Sequence, residues 1–161
     1  MKRFIGWALV WAALAAICLS AAIPNPVDWK LSDGPAKPVK AGARFTVKLT
    51  AGIQKGWHIY SLKPVEDGPL PTRIWLAEGQ PFQLAGPIKS DEPQTLQDPT
   101  LHMDVELYEG AAEFSLPLKV AHGAATGAQT LVVNAQAQSC NNSICLPPAT
   151  VKVEIPVTIV K

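Results

Sequence analysis

Apolar and polar residues alternate along most of this chain, and this is the pattern of half-buried β-strands. The alternation is clear in residues 44–50, in residues 112–120 and in two long runs, 130–138 and 149–159. No segment keeps the 3.6-residue apolar period of a helix over three turns. Because successive strand side chains point to opposite faces, each of these runs buries one side only. The pattern predicts an all-β protein.

Shorter runs rich in aromatic and β-branched residues extend the pattern. They cover residues 56–62, 72–77, 82–85 and 101–108, and turn residues separate them. The chain has 15 prolines and 11 glycines, which favours short strands and many turns over long helices. Seven or eight short strands at this spacing predict a single β-sandwich or barrel.

Two stretches interrupt the strand pattern. Residues 23–42 are rich in Pro, Lys and Asp, and we interpret them as a leader with at most one edge strand. Residues 89–99 carry three acids and two prolines, which predicts a solvated loop. The organisation we predict is therefore a signal segment (1–22), a leader (23–42) and a β-domain (43–161).

The first 22 residues have the three parts of a secretory signal peptide. Lys2 and Arg3 form the basic start, residues 4–19 are apolar, and Ser20-Ala21-Ala22 gives a small-residue cleavage site. An uncleaved anchor is the rival interpretation, because the apolar stretch nearly reaches the roughly 20 residues that a membrane span needs. A lipoprotein acylated at Cys18 fits poorly, since Ile17 precedes that cysteine. We expect cleavage and export to an oxidising compartment, since an even count of two cysteines then remains.

Composition and charge exclude several classes of function. Apolar residues make up 48% of the chain and charged residues 17%, which argues against disorder. Removing Lys2 and Arg3 from the 14 basic residues leaves 12 against 13 acidic ones, a net charge of −1. A nearly neutral surface gives no electrostatic basis for binding nucleic acid or anionic lipid.

The candidate chemistry lies between the last two long runs. Cys140 and Cys145 flank Asn-Asn-Ser-Ile, and Pro147-Pro148 follow at once. Asn and Ser favour turns, so we expect a hairpin with the cysteines at its tip. Facing residues on antiparallel strands lie about 4.5–5.5 Å apart at Cα, within the range of a disulfide. The residues alone leave open whether the pair is a structural staple or a redox switch.

Motifs along the chain resemble those of one family. Residues 56–61 (GWHIYS), 68–72 (GPLPT), 108–110 (YEG) and 140–148 (a Cys-x4-Cys pair followed by Leu-Pro-Pro) occur in this order. Together they resemble the periplasmic N-terminal domain of the thiol:disulfide interchange protein DsbD, also called the disulfide bond corrector domain family. The resemblance covers roughly residues 39–157.

The resemblance implies an immunoglobulin-like sandwich with a redox-active surface disulfide. It assigns Cys145 to mixed-disulfide formation and Cys140 to resolution, and it implies a cap over the disulfide formed by Glu106, Leu107 and Tyr108. Some family members present an aromatic residue where this chain has Leu107. We also expect Tyr60 to line the cysteine pocket or to belong to the core. No cofactor is required, because the disulfide is the redox centre.

The resemblance further implies partners. In the family, the pair receives electrons from a thioredoxin-like domain fed by a membrane domain, and it passes them to periplasmic disulfide isomerases or cytochrome c maturation proteins. Neither of those domains is found in this sequence, so we expect the donor to be another polypeptide. The chain is then one component of a protein-disulfide reductase system.

Two other functions stay open at this point. The first is a non-catalytic immunoglobulin-like binding module in which the disulfide is structural. The ring that a Cys140–Cys145 bond closes is very short and stabilises a protein by only about 2 kcal/mol in the chain-entropy account, which is little for a domain with its own core. A copper-handling domain would use His102, Met103 and the thiols. His58 and His102 match no zinc spacing, and we predict no metal site.

Trp57 and Trp75 are expected in the core, and no charged residue lies between Asn134 and Thr150.

Overall fold

The computed structural model describes residues 25–98 and 102–161, and these residues form strands and no helix. The predicted signal segment, residues 1–22, lies outside the described residues. The strands are β1 (Val27–Asp33), β2 (Val39–Lys40), β3 (Arg44–Ile53), β4 (His58–Tyr60), β5 (Arg73–Leu76), β6 (Phe82–Leu84), β7 (Lys89–Ser90), β8 (Gln94–Asp98), β9 (Met103–Glu109), β10 (Ala111–Val120), β11 (Gly127–Ala137), β12 (Ser139–Cys140) and β13 (Ala149–Val160). The prediction of an all-β protein is confirmed.

Two sheets enclose the main core. The first has the order β1-β3-β10-β6, with β7 also paired to β10, and the second has the order β2-β13-β11-β5. Along β10, and along β13 from Val153 to Ile159, every second side chain is buried, as the sequence alternation predicts. The inward-facing residues of both sheets form one hydrophobic cluster that includes Val47, Phe114 and Ile155. This packing of two sheets across one core is a β-sandwich.

The two strands that lead into and out of the cysteine segment form a long antiparallel hairpin. Residues of β11 pair with those of β13 from Gly127 opposite Ile159 to Ala137 opposite Ala149. The pairing continues without a register shift, so the alternating apolar residues of both strands face the core together. The predicted hairpin with the cysteines at its tip is confirmed.

A third, smaller sheet carries the site. Its order is β12-β4-β9-β8. Its inner face adds Ile59 and Tyr108 to the main core. Its opposite face holds a separate buried cluster, which consists of Tyr60, Val105, Leu107 and Cys140 with Met103 packed against it. We call this group the cysteine cluster.

Several details differ from the sequence predictions. The leader contains two strands rather than at most one: β1 lies at the edge of the first sheet, and β2 pairs in parallel with β13. Their residues Val27, Trp29 and Val39 are buried in the core, because these apolar residues cover the sandwich edge in spite of the prolines around them. There are also more strands than the seven or eight predicted, since several span only two or three residues.

Two further predictions are wrong. Residues 89–99 are not only a solvated loop, because β7 and β8 lie there and pair with β10 and β9. Trp75 is not a core residue: it is 39% exposed. It alternates with Ile74, which faces the core, and therefore points to the outer side of its sheet. Trp57 is partly buried against the core.

Candidate functional site

The cysteine pair forms a disulfide at the hairpin tip. Cys140 and Cys145 are bonded, with their Cα atoms 4.0 Å apart. The intervening turn is held by Asn141, whose side-chain oxygen accepts hydrogen bonds of 2.9 Å from the backbone N–H groups of Ser143 and Ile144. Asn favours turns because its side chain bonds the backbone in this way. The segment around the disulfide is therefore defined by its own local sequence.

The two cysteines have very different surroundings. Cys140 is 1% exposed and lies in β12, where it pairs with His58 of β4. Cys145 is exposed, as is the neighbouring Ile144, at 54%. Because a thiolate must reach a disulfide sulfur to attack it, a nucleophile from solvent meets Cys145 first. Attack there leaves the bonding electron pair on the buried sulfur of Cys140.

The cysteine cluster forms the buried side of the disulfide. Alternation along β9 turns Met103, Val105 and Leu107 to this face. Tyr60 of β4 pairs with Leu107 across the strands and lies in the same cluster. The structure thus brings Tyr60 and Leu107, two of the residues predicted from the sequence, together with Cys140.

The other two predicted cap residues point away from the disulfide. Glu106 accepts hydrogen bonds from the Ser61 hydroxyl (3.1 Å) and from the Lys63 ammonium (3.1 Å). The bond from Lys63, and then the one from Ser61, lower the pKa of Glu106. Tyr108 packs edge-to-face on Phe114 of the main core, with ring centroids 5.6 Å apart. Because neighbouring residues of a strand alternate between its two faces, Leu107 lies on the face of the disulfide, and Glu106 and Tyr108 lie on the other face of β9.

A buried polar network beside Cys140 was not predicted from the sequence. The Tyr60 hydroxyl donates a 2.9 Å hydrogen bond to the Asp98 carboxylate, and His58 Nε2 lies 3.3 Å from the same hydroxyl oxygen. His58 is 9% exposed and Asp98 is 4% exposed. Asp98 is the last residue of β8 and lies in the stretch predicted to be a loop, so nothing in the sequence placed it near Tyr60. The only sequence feature that could have indicated the network is the two-residue spacing of His58 and Tyr60, which puts both side chains on one face of a strand.

The network has a defined protonation pattern. Burial lowers the pKa of His58, while the charges of Asp98 and Glu109 act in the opposite direction. Burial, and then the hydrogen bond to Asp98, raise the pKa of Tyr60. Since the single hydroxyl hydrogen of Tyr60 goes to Asp98, its oxygen accepts from His58, and the neutral imidazole carries its hydrogen on Nε2. The other ring nitrogen, Nδ1, is then the basic one.

The described residues offer no metal-binding group at the site and no charged residue next to the cysteines in the sequence. They contain no group of three or more His, Cys, Asp and Glu residues able to hold a metal ion. Helix N-termini and nearby cations favour thiolates, but no helix or charged residue occurs in the segment between Asn134 and Thr150. Of the predicted copper ligands, His102 is exposed and Met103 packs on the cysteine cluster. The described part of the chain also has no helix long and apolar enough to cross a membrane.

Comparison with known proteins identifies the family. The sequence matches the family described as "Thiol:disulfide interchange protein DsbD, N-terminal" over residues 31–156. The chain belongs to the DsbD N-terminal domain family. The match begins inside β1 and ends near the end of β13, so it includes both sheets of the sandwich and the disulfide. The resemblance found in the sequence motifs is confirmed.

A solved structure of the family has the same fold. The reduced N-terminal domain of DsbD from Neisseria meningitidis is similar, with a TM-score of 0.51 and 17% sequence identity over 73% of this chain and 82% of that chain. The N-terminal periplasmic domain of ScsB from Proteus mirabilis has a TM-score of 0.46 and 13% identity, over 74% of this chain and 43% of that one. No protein with a curated function matches the sequence significantly.

Membership in the DsbD N-terminal family explains the architecture and limits the chemistry. The fold is the immunoglobulin-like sandwich of this family, as expected. The bonded pair Cys140–Cys145 lies within the matched residues. Family and disulfide together support a general role in thiol–disulfide exchange.

Proposed function

We propose that this protein is a periplasmic thiol–disulfide exchange module in which Cys145 is the attacked sulfur and Cys140 the resolving one. The observation that carries the proposal is the asymmetry of the pair, because Cys145 is exposed whereas Cys140 is 1% exposed. A structural staple gains nothing from presenting one of its sulfurs to solvent. An exchanging disulfide requires it, since access controls the rate of attack.

The reaction is a two-electron exchange with a partner dithiol. A partner thiolate attacks the Sγ atom of Cys145, the Cys140–Cys145 bond breaks, and its electron pair leaves on Cys140. The second partner thiolate then attacks the partner's sulfur of the mixed disulfide and releases Cys145. The partner ends as a disulfide, the protein ends as a dithiol, and the two partner thiol protons balance the two thiols formed. Electrons pass to an acceptor disulfide by the reverse sequence.

We assign the partners from the family resemblance. The donor is a thioredoxin-like redox protein connected to a DsbD-like membrane electron carrier, and the acceptors are periplasmic disulfide isomerases or cytochrome c maturation proteins. The surface around Cys145 supports a protein partner, because exposed Ile144 and the exposed Pro147-Pro148 give an uncharged, partly apolar rim. Such a rim suits contact with another protein better than binding of a charged small molecule.

The cap in this proposal consists of Leu107 and Tyr60. Both belong to the cysteine cluster, and they shield the Cys140 side chain from solvent on the face of the small sheet that carries this cluster. Glu106 and Tyr108 support β9 from the opposite face through Lys63 and Phe114. The cap therefore protects the resolving sulfur and leaves Cys145 available.

The test is the reduction potential of the Cys140–Cys145 pair in a Cys18→Ser protein, measured by titration with glutathione or dithiothreitol and thiol trapping. Labile, exchanging disulfides have potentials above about −300 mV, and structural ones lie below about −300 mV. We expect a value above that limit, with the circular dichroism spectrum of the folded protein retained after reduction. A more negative potential, or unfolding on reduction, would indicate a stapled immunoglobulin-like binding module instead.

A further inference from the structure

The small sheet places one titratable residue directly opposite the resolving cysteine. Cys140 of β12 pairs with His58 of β4 in the antiparallel register. Directly opposed residues of an antiparallel pair put their side chains on the same face, with Cβ atoms about 4.5–5.5 Å apart. Both residues are buried, so their side chains lie on the same buried face of the small sheet.

A buried resolving cysteine has a chemical difficulty in this position. To close the disulfide, Cys140 must attack Cys145 as a thiolate, and burial among apolar side chains disfavours the thiolate. The segment from Asn134 to Thr150 has no charged residue and no helix to compensate. A neighbouring base that takes the proton removes the difficulty, as in other pairs of Cys and His.

We propose that His58 is the general base for Cys140, oriented for this task by Tyr60 and Asp98. This inference rests on the proposed exchange function. In the resolving step, the proton of the Cys140 thiol moves to His58 Nδ1, and the Cys140 sulfur attacks Cys145. The bond between Cys145 and the partner breaks, its electron pair leaves on the partner's sulfur, and that sulfur takes up a proton from solvent. In the opposite direction the imidazolium returns the proton to Cys140.

The hydrogen bonds hold the imidazole through Nε2, which leaves Nδ1 as the atom that would take the proton. Tyr60 is bonded to Asp98 at 2.9 Å, and its oxygen accepts from His58 Nε2 at 3.3 Å. The base and its orienting groups are thus joined by hydrogen bonds, and the strand pairing places the nucleophile Cys140 opposite the base; a nucleophile, a base and an orienting group make up the general arrangement of activated nucleophiles. The Tyr60 and His58 rings also pack edge-to-face, with centroids 5.3 Å apart, and this contact restricts rotation of the imidazole.

The charges around His58 match the task of a base that is neutral at rest. The titratable groups facing it are Tyr60 on its own strand, Glu109 paired with it on β9, Asp98 on β8, and Cys140 on β12. Burial keeps the pKa of His58 below its ordinary value, whereas Asp98 and Glu109 favour the charged ring. Neutral histidine is therefore available near pH 7, and two carboxylates stabilise the imidazolium once it forms.

The experiment separates the two sulfurs by their reaction with an aromatic disulfide. In the full chain carrying Cys18→Ser, the reduced protein is mixed with 5,5′-dithiobis(2-nitrobenzoate) in a stopped-flow instrument. The first equivalent of coloured thiolate reports attack by Cys145, and the second reports displacement by Cys140. For His58→Gln, whose amide can still donate to Tyr60, we expect an unchanged first phase. General-base catalysis typically contributes 10²- to 10⁴-fold, so we expect the second phase to slow by about 100-fold or more.

The pH profile excludes a merely structural effect. In the protein with His58, the second phase should rise as the imidazole loses its proton and then level off. In His58→Gln it should keep rising into the alkaline range, where the thiol itself ionises. His122→Gln, which changes an exposed histidine, is the matched control and should leave both phases unchanged. Tyr60→Phe keeps the imidazole but removes the hydrogen bond that orients it. The rate of its second phase should therefore be lower than in the protein with His58 and higher than in His58→Gln.

The outcomes distinguish this inference from the exchange function. If the first phase is absent, Cys145 does not exchange and the proposed function itself is wrong. If both phases occur and His58→Gln leaves the rate and pH profile of the second unchanged, only the role of His58 is overturned. If His58→Gln does not fold, the protein with His58 still tests the proposal. The pH at the midpoint of the rise in its second-phase rate must equal the pKa of His58 measured by NMR. A difference between these two values would refute the proposal.

Discussion

The space between the two large sheets and the outer face of the small sheet are both buried, yet they are built from different residues. The main core is aliphatic and aromatic, with fully buried side chains such as Val47, Leu116 and Leu131. The face behind Cys140 combines the apolar cysteine cluster with the hydrogen-bonded network of His58, Tyr60 and Asp98. The first region is suited to stability and the second to chemistry.

The distribution of buried polar residues makes the same distinction. Six polar or charged residues are buried in the described part of the chain, and Asn134 alone lies away from the small sheet. The other five lie on or beside the strands around Cys140: His58, Ser61, Thr72, Asp98 and Ser139. A buried polar group costs stability unless it is hydrogen-bonded. The small sheet that carries Cys140, with the residues beside it, therefore has most of the buried polar groups among the described residues, whereas the space between the two large sheets is almost entirely apolar.

Truncation in the main core should give the largest change in stability. Phe114 is fully buried and packs on Trp29 and Tyr108. Phe114→Ala should lower the free energy of unfolding by about 3–5 kcal/mol, because a large buried ring is lost and a cavity remains. Denaturant unfolding measures this change. The second-phase rate in the folded protein should stay the same, and a large change in it would contradict the separation of the two regions.

Truncation in the cysteine cluster should change both stability and reactivity. Leu107→Ala should cost about 2–5 kcal/mol, as usual for buried leucine, and it should also open a path to Cys140. We expect the disulfide of the folded variant to be reduced faster by dithiothreitol. Leu116→Ala, the same substitution in the main core, is the matched control. If both variants alter the reduction rate equally, Leu107 is not a cap.

Opening the disulfide should have a smaller effect on stability. Its very short ring predicts a loss of only about 2 kcal/mol in the chain-entropy account. The reduced protein should therefore remain folded, and its denaturation midpoint should fall modestly relative to the oxidised protein. A loss comparable to that of Phe114→Ala would make the pair a staple.

The pH dependence of stability should show the burial of His58, with the smallest effect of the four. Because the folded pKa of His58 is lowered, the unfolded chain binds a proton more readily than the folded one. Stability is therefore fully present above about pH 6.5 and falls as the pH drops from there towards the folded pKa of His58. The slope is at most about 1.4 kcal/mol per pH unit. His58→Gln should lose this component, and an unchanged profile would contradict the burial of a neutral ring.

Much of the architecture was predictable, because the alternation of apolar and polar residues in the long strands determines which face of each strand is buried. The alternation in residues 130–138 and 149–159 predicted the β11–β13 hairpin, and the turn residues between the cysteines predicted its tip. The prediction of a solvated loop in residues 89–99 was wrong for β8. Its polar residues lie between Pro93 and Pro99 and have the composition of a loop. They form a strand because β9 offers them an edge to pair with.

The site was predictable only in part. Cys140 and Cys145 were identified from their spacing and from the family, but their unequal exposure depends on β12 pairing with β4, which no local pattern indicates. The assignment of Glu106, Leu107 and Tyr108 to one cap ignored strand alternation, and applying that rule would have separated Leu107 from its neighbours. The contact of Asp98 with Tyr60 joins residues 38 positions apart, a separation that sequence periodicity does not reach.

The most direct test of the central claim compares the two cysteines singly. With Cys18→Ser in both proteins, Cys140→Ser leaves only the exposed thiol, and Cys145→Ser leaves only the buried one. Mass spectrometry follows the mixed disulfide formed with oxidised glutathione under native conditions. We predict a stable adduct on Cys145 and, since access limits exchange, a reaction of Cys140 slower by at least about tenfold. Equal rates, or faster reaction of Cys140, would contradict the assignment of Cys145 as the exchanging sulfur.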